Sequence, residues 1–374
     1  MGSNSVIGYM EVNLAFVLIF LSAVSIPLAA IAQRRGVFWP LLLIVFVLAG
    51  VAGVRGLGVG NDTAPYLESI RYYFMHGEVA WGMVTFSRGY GLFTRFLMSI
   101  SGNPTFLLLT QGLITNALII SRIWDYREVI SLPTALFAYL MILYPYGLCL
   151  TCQMLAVSIF FYSTRWLKRG SYLYFAIGFV LSVAIHKSAI IGLFILIPHV
   201  RRELEPIVSR LGAHVRKWLN VIIVGIAVAL ISAVAFSFSN YFRNLEISFG
   251  MMIPARLAFL TMFIALSINS QKPSRDVHGA TIVKTLPVEI KLYYFALALA
   301  SSSYFISNAG RISYYFACFG PVAYGWCMKR LEGTGKRAIA MTLLLIGMCV
   351  GFYLTFIENN SMEIANYAVR CFIA

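Results

Sequence analysis

Long runs of apolar residues, separated by short polar segments, extend along nearly the whole chain. About twelve of these runs reach or approach the roughly 20 residues that an α-helix needs to cross a bilayer, among them 12–32, 104–122 and 338–357. The runs are continuous and do not alternate with a two-residue period, so they do not fit membrane β-strands. The pattern predicts an all-α polytopic integral membrane protein with about twelve transmembrane helices.

The composition strengthens this prediction. The chain is 60% hydrophobic and only 11% charged, and its mean hydropathy is +0.82. A soluble domain needs far more charge to cover its surface. The weakly hydrophobic stretches 55–103 and 199–217 are too small or too interrupted to hold a core of their own. We therefore interpret residues 1–374 as a single polytopic membrane domain.

Basic residues are concentrated in short loops on one side of the predicted membrane. The run 90–101 is short and contains Arg95, so we interpret it as an interfacial or re-entrant helix. The positive-inside rule then predicts an outer loop at 55–103, and cytoplasmic loops that include 200–217, 269–287 and 329–337. The net charge of +15 comes largely from these short basic loops. Because the basic residues are distributed in this way and do not form a continuous stripe, the charge does not predict nucleic-acid binding.

Three arginines lie within about one turn of predicted outer helix ends: Arg55, Arg256 and Arg311. Each guanidinium could simply reach out to lipid headgroups. The alternative is a phosphate site, because the planar fork of donors on a guanidinium matches phosphate oxygens in a way that lysine does not. Charged groups close to a membrane are costly, and three on the less basic face favour the functional interpretation.

Asp62 and His186 are the candidate proton-transfer groups. Asp62 follows a glycine-rich turn and could cap the helix that begins at "TAPY". It could also orient or deprotonate a hydroxyl group. His186 lies where two apolar runs almost touch, and it could be a hydrogen-bonded core residue or a general base. We predict His186 as the base, with Asp62 orienting the acceptor or an arginine.

The sequence predicts no metal and no cofactor. Cys149 and Cys152 form a single CxxC without a second pair, which is more typical of small packing residues than of a metal or redox site. The predicted outer loops contain no D-x-D pair to hold a divalent cation.

These polar groups, in this order, resemble the EpsG-like branch of the Wzy-type polysaccharide polymerases. Arg55 and "GNDTAPY" match an arginine followed by a G-x-D-x-x-x-Y box, and "HKSA" at His186 matches an H-x-S-A box. Arg311 and Tyr315 match a late R-x-x-x-Y. Where the family usually has Arg-Gln, this chain has Cys152-Gln153, so one phosphate-binding arginine is absent or is supplied by Arg256.

The resemblance implies a GT-C-like architecture with its active site at the outer face of the bacterial inner membrane. The implied enzyme is an inverting, metal-independent glycosyltransferase that polymerises undecaprenyl-pyrophosphate-linked oligosaccharide repeat units into O-antigen of lipopolysaccharide, capsule or exopolysaccharide. Its partners would be the lipid-linked donor and acceptor, membrane lipids and a membrane protein that regulates chain length. The substrate-binding residues it implies are Tyr66, Gln153, Lys187, Ser188 and Tyr315.

Two other functions use similar residues. A transporter or flippase for lipid-linked glycans should show an internal repeat and broken helices at mid-membrane in both halves, and no such repeat is visible. A ligase that attaches the glycan to another acceptor would need nearly the same outer-face chemistry. The residues alone do not separate the polymerase from the ligase.

Overall fold

Helices form most of the described chain, which in this computed structural model comprises residues 7–79, 83–196, 252–269, 287–301 and 309–372. Short segments with other helical geometry are the 3-10 helices Lys187–Ile195, Ala309–Ser313 and Ser361–Glu363 and the π-helix Tyr353–Glu358. The α-helices in these ranges are α1 (Leu14–Arg35), α2 (Trp39–Val54), α3 (Thr63–His76), α4 (Arg88–Ile100), α5 (Pro104–Trp124), α6 (Leu132–Ile142), α7 (Tyr144–Cys149), α8 (Thr151–Lys168), α9 (Tyr172–Ile185), α10 (Met252–Asn269), α11 (Val288–Ala300), α12 (Tyr314–Ala317), α13 (Gly320–Arg330) and α14 (Arg337–Phe352).

The predicted class, an all-α membrane protein, is confirmed. Among the described residues, three helical stretches are long and apolar enough to cross a bilayer: Leu14–Arg35, Pro104–Trp124 and Arg337–Glu358. Shorter apolar helices accompany them at Trp39–Val54, Leu132–Ile142, Tyr172–Ile185 and Ala255–Ser267. The number of about twelve spans and the GT-C architecture stay predictions. The predicted loop 200–217 and nearly all of the loop 269–287 lie outside the described residues.

Helix α8 is a largely buried helix of the bundle. It packs between α5 and α9, and twelve of its 18 residues are buried. At the α8–α9 contact, a Cβ placed on Gly178 would lie 2.5 Å from the Cβ of Ser163, so the two backbones approach as closely as small residues allow. The other extensive helix contacts are α2 with α5, α6 with α13, and α1 with α6.

Two apolar runs are broken where the sequence pattern suggested continuous spans. The run 133–148 is divided at Leu143 into α6 and α7, because Pro145 lacks the N–H that a continuous helix would require. The run that begins at 188 starts with the 3-10 helix Lys187–Ile195 rather than an α-helix. Both breaks place backbone turns beside polar side chains.

The chain ends of the described region meet in a small sheet that the sequence analysis did not predict. Strands β1 (Ile7–Asn13) and β2 (Asn366–Phe372) pair antiparallel, with Ile7 opposite Phe372 and Asn13 opposite Asn366. The N–H of Gly56 donates to the carbonyl of Ala368 at 2.6 Å. The sheet therefore lies against the loop that follows α2.

The bundle has two chemically different ends. At one end, the side-chain nitrogen of Gln33 donates to the carbonyls of Arg127 and Ile130 at 2.8 and 2.7 Å, so the basic loops after α1 and α5 are joined. Helix α8 ends beside these loops, where Arg165 contacts Asp125. Its 18 residues extend over roughly 27 Å, so its first turn lies at the other end. The residues that resemble the family boxes lie at this second end, opposite the basic loops.

Candidate functional site

An ion pair between Arg311 and Asp62 forms the centre of the site. Nη1 of Arg311 lies 3.1 Å from Oδ2 of Asp62, and about a quarter of each side chain is exposed. Arg311 belongs to the 3-10 helix Ala309–Ser313, and Asp62 occupies the N-cap position of α3. The Asp62 side chain makes no capping hydrogen bond there. The carboxylate therefore pairs with Arg311 and does not cap the N-terminus of α3.

Gly60 explains how the loop before Asp62 is held. Its φ angle is +83°, in the left-handed region that favours glycine, and an added Cβ would lie 2.9 Å from the Cα of Cys149. The N–H of Gly60 donates to the carbonyl of Glu363 at 3.0 Å, and the thiol of Cys149 donates to Oδ1 of Asn61 at 3.0 Å. The loop is therefore fixed between α7 and the 3-10 helix Ser361–Glu363.

Gln153 contacts the backbone of Arg311 rather than its guanidinium. Its side-chain nitrogen donates to the Arg311 carbonyl at 2.8 Å. Gln153 lies in the first turn of α8 and is 5% exposed. This bond connects the largely buried helix α8 to the short segment that carries Arg311, and so it limits the movement of that segment.

His186, Ser188 and Tyr315 form a second chain of contacts beside the ion pair. Nδ1 of His186 lies 2.5 Å from the Ser188 hydroxyl, which forms a 3.0 Å hydrogen bond with the Tyr315 hydroxyl. His186 follows the last residue of α9. Burial, and in second place the positive charge of Arg311, lower the pKa of His186 to about 4. The imidazole is therefore neutral at physiological pH.

A cavity of about 360 Å³ opens beside Arg311, and Arg256 lies on its wall. Nη2 of Arg256 donates to the Thr355 hydroxyl at 3.0 Å. Nε of Arg311 is buried, and it has no hydrogen-bond partner in the described part of the chain. The wall also includes Tyr146, Tyr293, Ser313 and Tyr314. Two guanidinium groups and several aromatic rings thus line one space.

Of the ten site residues predicted from the sequence, Arg256 and Arg311 line this cavity, and the other eight, which include Asp62 and His186, are not on its wall. Arg55 is fully buried and lines a different, much smaller cavity of about 20 Å³. Tyr66 lies one turn after Asp62 on α3 and packs edge-on against Tyr90. Lys187 is exposed at the start of its 3-10 helix. The contacts described here establish proximity, and the roles predicted for all these side chains stay predictions.

The sequence analysis missed Tyr146, Tyr293 and Thr355 as residues of the cavity wall. Only Tyr146 has a recognisable signal, since it lies in "YPYG", where proline and glycine interrupt an apolar run. Tyr293 and Thr355 occur in apolar stretches without a distinguishing pattern. Within the described ranges, no three His, Cys, Asp or Glu side chains are grouped as metal ligands would be.

Comparison with known proteins gives one match. The family model described as the EpsG family matches residues 38–369, which include every predicted site residue. No curated protein and no solved structure matches the chain.

Proposed function

This chain belongs to the EpsG family, and we propose that it polymerises oligosaccharide repeat units carried on undecaprenyl pyrophosphate. The family is one of polysaccharide-polymerase-type membrane proteins, and the helical fold agrees with that assignment. The donor is a growing glycan on the lipid carrier, and the acceptor is a single repeat unit on the same kind of carrier. The observation that carries the proposal is that Arg256 and Arg311 line one cavity of about 360 Å³.

Arg311 and Arg256 bind the pyrophosphate of the donor. As the glycosidic bond to the carrier breaks, negative charge develops on the leaving pyrophosphate, and preorganised donors lower the free energy of that transition state. Arg311 uses Nη1 for Asp62, and its buried Nε has no hydrogen-bond partner among the described residues. The volume lies within the usual range for small-molecule sites.

Asp62 orients Arg311. The carboxylate fixes one edge of the guanidinium, and Gln153 fixes the backbone of the same residue. Two independent supports therefore hold the arginine in the direction of the cavity. This arrangement favours the orienting role for Asp62 over a role as the base, because its Oδ2 is already engaged with a cation.

His186 removes the proton from the acceptor hydroxyl. In the tautomer that this scheme uses, Nδ1–H donates to the Ser188 hydroxyl, and Nε2 is the nitrogen that accepts a proton. The acceptor oxygen forms a bond to the anomeric carbon of the donor while the bond from that carbon to the pyrophosphate oxygen breaks, so the configuration inverts. The proton goes to Nε2, and the electron pair leaves with undecaprenyl pyrophosphate. No metal ion takes part in this scheme, and the site faces the outside of the inner membrane.

Two experiments test the proposal. Deleting the gene should remove the polymer ladder on a gel of surface glycan while the single-unit product remains. Loss of both the ladder and the single-unit product would instead indicate a ligase or flippase. The purified protein should convert lipid-linked repeat units to polymer, and His186→Gln should lose this activity. If His186→Gln keeps most of its turnover while Asp62→Asn is inactive at every pH, the two roles are exchanged. If both variants stay active, neither residue is the base.

A further inference from the structure

Arg55 is a buried cation with little to neutralise it. Its side chain is completely buried, at 0% exposure, at the end of α2. One nitrogen, Nη1, donates to the carbonyl of Ala52 at 2.6 Å. The other two, Nε and Nη2, are buried and have no hydrogen-bond partner in the described part of the chain.

No carboxylate in the described ranges forms an ion pair with Arg55. Asp62, which is near in sequence, pairs with Arg311. A buried charge without a counter-charge or hydrogen bonds is among the most destabilising features a protein interior can have. The Arg55 side chain therefore needs a ligand that supplies hydrogen-bond acceptors and negative charge.

A small cavity of mixed polar and apolar lining adjoins the Arg55 side chain. Its volume of about 20 Å³ exceeds the 10–15 Å³ or so that one water molecule needs. Two hydroxyl groups on its wall already have partners: the Tyr139 hydroxyl donates to Oδ1 of Asn116, and the Tyr144 hydroxyl donates to the carbonyl of Leu48. Arg55 therefore contributes the unsatisfied donors of this wall.

We infer that this cavity is a binding site for one small anion of halide size, held by Nε and Nη2 of Arg55. A water molecule could accept the same hydrogen bonds, but it would leave the positive charge uncompensated. A halide supplies both the acceptor and the counter-charge. The cavity is too small for phosphate or pyrophosphate, so the site is distinct from the cavity beside Arg311. The bound ion would stabilise the junction between α2 and the loop that carries Asp62.

Thermal unfolding of the purified full chain in lipid nanodiscs tests this inference. Sodium gluconate is replaced stepwise by sodium chloride or sodium bromide at constant ionic strength, and tryptophan fluorescence reports the unfolding midpoint. We expect a midpoint that rises with halide concentration and then saturates, as for a ligand that binds only the folded state. Arg55→Gln should abolish the rise, whereas Arg71→Gln, which removes an exposed arginine of α3, should retain it.

A second measurement does not depend on a folded variant. Crystals of the wild-type protein grown in bromide should show an anomalous peak beside the Arg55 guanidinium. The inference is overturned if the midpoint is the same in gluconate and chloride and no bromide peak appears, because water alone then fills the cavity. It is also overturned if inorganic pyrophosphate raises the midpoint in a manner that requires Arg55, since the residue would then belong to a pyrophosphate site.

Discussion

Replacing Arg311 by lysine separates the shape of its donor group from its charge. The lysine ammonium keeps the positive charge, but it offers one nitrogen where the guanidinium offers three. In the native protein, Nη1 contacts Asp62 at 3.1 Å, while Nε is buried and has no partner within the ranges that the structure describes. A single nitrogen cannot hold the carboxylate and a phosphate oxygen in these two directions at once.

The size of the effect follows from the bond that is lost. A hydrogen bond to a charged group contributes about 1.5–3 kcal/mol, and each 1.36 kcal/mol corresponds to about a tenfold change in rate. If Arg311→Lys loses one such bond to the transition state, kcat/KM for polymerisation should fall about 10- to 150-fold. Arg311→Ala should abolish polymerisation, because it removes the charge as well and leaves Asp62 without its partner.

The assay uses the purified protein in nanodiscs, lipid-linked repeat units and a gel that resolves the polymer ladder. Arg34→Lys is the matched control, since Arg34 is exposed at the basic end of the bundle and should show wild-type rates. A double-mutant cycle with Asp62→Asn then measures coupling. If Asp62 acts by orienting Arg311, the combined loss should be smaller than the sum of the single losses by about 0.5–3 kcal/mol.

Two results would refute this reasoning. Wild-type kcat/KM in Arg311→Lys would mean that a point charge is sufficient and that the guanidinium geometry does not matter. Strict additivity of Arg311→Lys and Asp62→Asn would mean that the two side chains act independently, despite the 3.1 Å between them.

Three further predictions concern the base, the loop and the orientation. His186 must be unprotonated to accept a proton and its pKa lies near 4, so kcat/KM should fall only as the pH drops towards 4. His186→Gln should lose about 10²- to 10⁴-fold in kcat. If kcat/KM of the wild-type protein already falls near pH 6.5, the assignment is contradicted. Gly60→Ala should destabilise the fold by about 1–3 kcal/mol, because the left-handed φ and the 2.9 Å approach to Cys149 disfavour a side chain; Gly58→Ala, in open space, serves as its control in thermal unfolding. Gly58→Cys should be labelled from outside the cell and Gly335→Cys only after permeabilisation, whereas the reverse accessibility would place the site in the cytoplasm.

Much of the protein's character could be predicted from the sequence because the responsible forces are local in the chain. An apolar run of about 20 residues has a favourable environment only as a helix inside the bilayer, so the membrane class follows from hydropathy alone. Polar residues at the ends of such runs stand out against their surroundings. This contrast identified Asp62, His186 and Arg311 as candidate site residues. The motifs around them suggested the EpsG family, whose model matches residues 38–369.

The places where helices break were less predictable. The apolar run 133–148 reads as one span, but the backbone is divided at Leu143. A proline in an apolar run can kink a helix or end it, and neighbouring helices determine which occurs. The β1–β2 sheet depends on residues at opposite ends of the chain, so no local pattern indicates it.

Only the tertiary structure decided which polar residues meet. Asp62 and Arg311 are 249 positions apart in the chain and form an ion pair, while Arg55, only seven positions before Asp62 in the printed sequence, lies in a separate cavity. Tyr146 and Tyr293 line the same cavity, although no sequence pattern connects the two residues. The physical reason is that hydrophobicity places a helix in the bilayer without selecting its neighbours, because lipid tails are as apolar as the side chains. The lateral order of the helices, and with it the site, depends on close packing and on hydrogen bonds between residues distant in the chain.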